Sequence, residues 1–228
     1  MARIFDDFTV LLLDMNGTFM FGMDNFGAGQ RFHATYQSLG GTVLSEEQVH
    51  ASIRSCYDTM LGFYRSPEYF NNFPSVVETL GRKDSLPQME LRLLEQVFAR
   101  HELGTVSVPY ADLLRRLSKT HPLGIVSNLW SRKEPWLAEF ERAGISDVFT
   151  CKIFSSDCRS IKPSPILFEN ALRSFPADSK VLFVGDNLER DIIPAKLLGM
   201  ATAWVTSTED GSDWADYVLP DLLAIEGE

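Results

Sequence analysis

Asp14 closes the apolar run Leu11-Leu12-Leu13 and opens the turn Met15-Asn16-Gly17-Thr18. An acid at the point where a buried strand spills into a glycine turn is a carboxylate held rigidly at a sheet edge. Three further sites follow the same logic. Ser127-Asn128 closes Gly124-Ile125-Val126, and Lys162 stands in Ile161-Lys162-Pro163-Ser164-Pro165 ahead of a helix. Gly185-Asp186 follows Val181-Leu182-Phe183-Val184, with Asp191 five residues beyond Asp186. Taken singly, each has a structural explanation: a turn-forming aspartate, a serine helix cap, a solvated lysine, a Gly-Asp-Asn turn. Four such sites at successive strand ends are much harder to assign to loop chemistry. Together they put carboxylates, a hydroxyl donor and a cation on one rim, a set suited to phosphoryl transfer.

The elements that must position these residues alternate between strand and helix. Residues 8–13, 123–127, 148–154, 181–184 and 201–205 read as strands, most of them apolar enough to be buried on both faces. Residues 110–119, 133–143, 164–174 and 191–198 have helical patterning. The alternation predicts an α/β fold, a Rossmann-like parallel sheet with helices on both faces, whose ligands gather at the carboxyl ends of the strands. Between the first strand and Leu123 the strand signal fades. Helical patterns fill residues 30–39, 45–64 and 88–101, and Ser45 with Gln48 has the spacing of a capping box. Residues 66–87, with three prolines and Asn71-Asn72, read as a loop-rich joint. The predicted division is therefore a core of residues 1–17 and 101–228, with residues 18–100 forming an inserted α-helical domain over the sheet edge.

A chain of 228 residues can bury a full core of this kind, and 45% hydrophobic and 23% charged residues are ordinary for a globular protein. The formal net charge of −10 argues against an unspecific nucleic-acid binder. Cys56, Cys151 and Cys158 form no CxxC pair, which reads as reduced thiols in a cytoplasmic compartment. The start, Met1-Ala2-Arg3-Ile4-Phe5-Asp6-Asp7, has no signal-peptide pattern, and no stretch is long enough to span a bilayer. The four histidines lack metal-ligand spacing.

The set of four sites resembles the haloacid dehalogenase superfamily, most of whose members are magnesium-dependent phosphatases. The most specific stretch is Val181 through Asp191, and Ala195-Lys196-Leu197-Leu198-Gly199-Met200 continues the likeness. The insertion matches only as the helical cap that many members carry. The resemblance implies that Asp14 is a nucleophile forming an aspartyl-phosphate, that Ser127 and the Asn128 amide bind phosphoryl oxygens, and that Lys162 neutralises charge. It also implies a Mg2+ site made by Asp14, the Asn16 carbonyl, Asp186 and Asp191.

Asn16 departs from the pattern. The phosphatases usually carry an aspartate there, which gives its carbonyl to the metal and exchanges protons with the leaving group and water. Asn16 keeps the carbonyl, but its amide cannot exchange protons near neutral pH. Acid–base catalysis contributes about 10²–10⁴-fold, so a weakened, leaving-group-selective hydrolase of a small phosphorylated molecule is expected. Asn16-Gly17 is also the dipeptide in which backbone attack on the side-chain amide meets least resistance. Two alternatives remain: a metal-independent dehalogenase, which needs no second acid but has no use for Asp186, and an impaired phospho-ligand-binding protein. Phe21, Arg54, Tyr57, Tyr64, Arg65, Tyr69 and Trp130 are candidates for the substrate pocket, with Gly22 a candidate hinge; for most of them core packing of the aromatics and solvent exposure of the arginines are the stronger readings, and Trp130, just beyond Ser127-Asn128, is the better placed to wall the pocket.

Overall fold

Short apolar runs make the sheet. A computed structural model describes residues 4–82, 86–208 and 212–226 of the chain. Its strands are β1 (Val10–Leu13), β2 (Leu123–Ser127), β3 (Phe149–Phe154), β4 (Val181–Gly185), β5 (Ala201–Val205) and β6 (Tyr217–Leu219). They pair in the order β3-β2-β1-β4-β5-β6, and every pair is parallel. Every residue of β1, β2 and β4 is buried, as strands covered on both faces require. Leu13 lies beside Ile125 on one side and Val184 on the other, so the carboxyl ends of β1, β2 and β4 finish together.

The alternation of side chains along each strand divides the core in two. Leu11, Leu13, Ile125 and Val184 face helices α5 (Val108–Leu117) and α6 (Glu134–Ala143), where Leu113, Leu114, Trp136 and Phe140 meet them. Val10, Leu12, Val126 and Phe183 face α8 (Pro165–Leu172) and α9 (Ile193–Leu197) through Leu167, Phe168 and Ala195. A four-residue helix, α7 (Ser155–Cys158), follows β3.

The stretch between β1 and α5 forms α1 (Phe32–Ser38), α2 (Glu46–Arg65), α3 (Val76–Gly81) and α4 (Gln88–Glu102). These helices share a separate apolar cluster including Phe32, Tyr36, Ile53, Met60 and Phe98, against which Trp130 and Ile161 also pack. Ser45 accepts from the Gln48 amide at 3.2 Å and Gln48 returns the bond to the Ser45 amide at 2.8 Å, so the expected capping box opens α2. The crossing segments are tied where Phe21 and Thr105 exchange backbone hydrogen bonds of 3.1 and 2.8 Å, and α4 runs on to Glu102.

Three elements go beyond the sequence reading, the four-residue α7 among them. α3 lies in the stretch taken as a loop-rich joint, where Ser75 and Glu78 make a second capping box; residues 83–85 of that stretch lie outside the described ones, as do residues 1–3. β6 is a three-residue edge strand, too short to give a period. β1 starts at Val10, because the amides of Thr9 and Val10 both reach back to the Lys180 carbonyl before the ladder begins. The helix expected from residue 191 opens with one wide π turn over Leu188–Ile192. No disulfide joins Cys56, Cys151 or Cys158, and among the described residues no helix is long and apolar enough to cross a membrane.

Candidate active site

At the carboxyl end of β1, the Asp14 side chain is buried and receives two donors on one oxygen. The Lys162 ammonium lies 2.6 Å from Oδ1 and the Ser127 hydroxyl 3.0 Å from it. The same ammonium lies 2.5 Å from Asp191 Oδ1, so one buried lysine serves two buried carboxylates. Burial alone would lower the affinity of Lys162 for its proton; Asp14 and Asp191 more than offset that and hold it above the ordinary lysine value.

Lys162 is the one member of the set that no strand end positions. β3 finishes at Phe154, and α7 intervenes. The Asn128 side chain does the positioning: its Oδ1 accepts from the Lys162 amide at 2.8 Å and its Nδ2 donates to the Lys162 carbonyl at 3.4 Å. The loop is braced from the helical side too, with the Ile161 amide on the Phe70 carbonyl at 2.9 Å and the Ser164 hydroxyl on Asn71 Oδ1 at 2.6 Å.

Two glycines make room for the acids. A Cβ on Gly17 would stand 2.2 Å from Asp186 Oδ2, and Gly17 also has φ +79°, a left-handed conformation that disfavours any side chain. A Cβ on Gly185 would stand 2.7 Å from Asp191 Cβ and Oδ2. The tight turns let Asp14, Asp186 and Asp191 bring one carboxylate oxygen each within 4.8 Å of the others. Crowding has an electrostatic consequence. Burial, then the charges of Asp14 and Asp191, push Asp186 up to about 7. Burial pushes Asp191 up to about 6 against the pull of Lys162. Three carboxylates sharing one lysine leave negative charge for a further cation, and an all-oxygen donor set suits a hard one.

Asn16 lies on the same cavity, and its Oδ1 is buried with no hydrogen-bond partner among the described residues. An orphaned carboxamide oxygen beside three acids fits a site arranged around an added cation or ligand. The Gly17 amide, the nitrogen that would attack the Asn16 side chain, donates instead to the Met20 carbonyl at 2.9 Å.

The cavity above these residues has a volume of about 320 Å³. Of the expected pocket residues, Tyr57, Tyr64 and Trp130 line it. Phe21, Arg54, Arg65 and Tyr69 do not, for identifiable reasons. Phe21 packs on Tyr110 at the crossing, with ring centroids 5.0 Å apart. Arg54 donates to the Phe26 carbonyl and pairs with Asp58. Arg65 is exposed at the end of α2, and Tyr69 packs on Phe63 with the rings tilted by 40°. Three charged lining residues went unforeseen: Asp24, Glu102 and Arg190. The Arg190 guanidinium sits 3.6 Å over the Tyr64 ring, donates to the Tyr64 carbonyl at 2.6 Å and also bonds the Lys162 carbonyl. It bolts α2 to the lysine loop, and only its place one residue before Asp191 hinted at a role.

A fold of this topology with carboxylates crowded at the ends of β1 and β4 has known counterparts. Residues 33–205 match the family described as "Haloacid dehalogenase-like hydrolase". The chain belongs to that family of hydrolases. It is 34% identical over 143 residues to a glyceraldehyde 3-phosphate phosphatase of Pyrococcus abyssi, a match covering 60% of this chain and 59% of that protein. A protein of the same name from Pyrococcus furiosus is 30% identical over 174 residues, covering 69% and 71%. Pyrimidine 5'-nucleotidase YjjG of Escherichia coli is 32% identical over 111 residues, covering 48% of each. Among solved structures, a phosphatase from Thermococcus onnurineus has TM-score 0.60 and 24% identity over 95% of both chains. A 2-haloacid dehalogenase from Pseudomonas syringae has TM-score 0.62 and 20% identity over 96% of both. These two likenesses speak to the fold.

Proposed function

We propose that the protein is a Mg2+-dependent phosphatase of a small phosphorylated molecule, acting through an aspartyl-phosphate on Asp14. The observation that carries this reading is the buried Lys162 shared by Asp14 and Asp191 at 2.6 and 2.5 Å, beside an Asp186 whose charge is left over. The phosphatase names of the sequence relatives support it.

With Lys162 and Ser127 both on Oδ1 of Asp14, Oδ2 is the oxygen that attacks phosphorus. The carboxylates of Asp14, Asp186 and Asp191 and the carbonyl of Asn16 would hold the ion, which supplies Lewis acidity and cancels charge between phosphoryl group and acids. Lys162 and Ser127 then stabilise the phosphoryl oxygens as charge builds on them. Asn16 cannot give a proton to the departing alkoxide, so good leaving groups fare best. Residues 18–100 act as the cap, with α2 bringing Tyr57 and Tyr64 over the cavity and shielding it from water.

The test is hydrolysis of an activated aryl phosphate with and without magnesium, by wild type and by Asp14→Asn. Magnesium-dependent turnover lost in Asp14→Asn is expected. Failure of the wild type to turn over any phosphate ester sinks the reading, and halide release without metal would put dehalogenation in its place.

A further inference from the structure

Besides Lys162 and the acids it serves, the cavity is lined by a second pair of acids, Asp24 and Glu102. The charge of Asp24 bears on Glu102, and among the described residues no lysine or arginine forms an ion pair with either acid. Chain crossing puts them together: the Asp24 amide bonds the Glu102 carbonyl at 3.3 Å and the Asn25 amide the His101 carbonyl at 2.7 Å. Glu102 is fixed by the Trp130 amide at 2.7 Å, the Ser131 amide at 3.0 Å and the Ser131 hydroxyl. Three donors on one carboxyl group are the partners of an anion. Arg190 and Arg54 are engaged by other groups: Arg190 bonds the Lys162 and Tyr64 carbonyls over the Tyr64 ring, and Arg54 bonds the Phe26 carbonyl and Asp58 with its guanidinium 5.5 Å from the Tyr57 ring centroid.

Beside this acidic pair stand aromatic rings. Trp130, whose amide holds Glu102, lies 5.8 Å from Tyr57 and 5.4 Å from Tyr64 between ring centroids, and all three line the cavity. Two adjacent unneutralised carboxylates with aromatic faces beside them form a receptor for an organic cation. A neutral polyol could donate hydrogen bonds there but would leave the two charges repelling, and an anionic group would add to the repulsion. Building on the phosphatase reading, we propose that the alcohol portion of the substrate carries an ammonium group, seated between Asp24 and Glu102 and beside Trp130 while the phosphoryl group meets Asp14.

The experiment compares kcat/KM, with magnesium, for a series of aminoalkyl phosphates and for hydroxyalkyl phosphates of the same chain lengths, with an aryl phosphate as reference. At one or more chain lengths the amine is expected to be preferred by about tenfold or more. That ratio should fall toward one in Asp24→Asn, and in Glu102→Gln if that buried site still folds; Asp24, open to the cavity, keeps the test clear of folding. An amine-to-hydroxyl ratio near one at every length, with aryl phosphate still hydrolysed, overturns the ammonium site and leaves the phosphatase standing. A preference that survives Asp24→Asn undiminished also overturns it. Absence of turnover on every ester removes both.

Discussion

On the proposed phosphatase reading, Asn16 is the residue on which the chemistry turns. Its side-chain oxygen is buried and has no partner among the described residues, and on that reading it stands where an acid would relay protons. Asn16→Asp is therefore expected to raise kcat on alkyl phosphates by about 10²-fold, and less on aryl phosphates, whose departure needs no proton. Steady-state rates on a series of leaving groups check this; equal gains across the series would mean the amide is not what limits the enzyme. Asp14, Ser127 and Asp186 were legible in the sequence because an apolar run fixes where a strand ends; Lys162 and Asp191, which stand off the strand ends, were read from the family resemblance of their motifs. Asp24, Glu102 and Arg190 were not legible. Their importance comes from contacts with distant chain, as when Arg190 reaches the carbonyls of Lys162 and Tyr64, and nothing local in the sequence encodes such a contact. Arg190→Ala is expected to lower kcat by about tenfold or more through loss of two charge-assisted bonds that hold the lysine loop. Arg190→Lys should rescue little, since one ammonium cannot reproduce a planar stack with a forked donor. Single-turnover rates of the two variants separate this from a simple loss of substrate affinity.

At the scale of elements, the turns after β1 and β4 are built around absent side chains. Gly185→Ala would drive a methyl into Asp191, and Gly17→Ala would drive one into Asp186 while forcing an alanine into left-handed backbone. If these acids hold magnesium as proposed, the ion should raise the Tm of the wild type, and both variants are expected to lose that rise, with Gly17→Ala the more damaging. Thermal melts with and without the ion measure this directly; an unchanged rise would remove these acids from the metal site. The strands and long helices were readable from apolar period and caps. α3 was hidden because Pro74 and Pro87 flank it and its six residues give barely two turns, although Ser75 and Glu78 carry the capping-box spacing. β6 offered no signal, since its burial comes from pairing with β5 and not from its own three residues.

For the molecule as a whole, the crowded acids set a pH dependence opposite to that of a salt-bridged carboxylate. Asp186, Asp191 and Glu102 bind protons more tightly folded than unfolded, near 7, 6 and 7 against an ordinary value of about 4. Between those values the native state holds more protons than the unfolded one, so their contribution to stability falls as pH rises from about 4 to 7. In the absence of divalent ions, Tm is expected to drop across that interval, less in Asp186→Asn. Magnesium should restore it most at the alkaline end, where the carboxylates are ionised and no proton competes. A magnesium effect independent of pH would show that the ion does not sit among these acids.

The place of β1 in the sheet has a consequence for synthesis. It lies between β2 and β4, and its residues pair with positions 123–125 and 181–184, all more than a hundred residues later. A chain growing from its amino end thus makes its most apolar strand first and its neighbours last. The helices in between have a cluster of their own and can close early; β1 must wait with both edges bare. Ribosome-bound chains should keep Leu11–Leu13 open to proteolysis until β4 has emerged, so the nucleophile would be among the first residues made and among the last put in place.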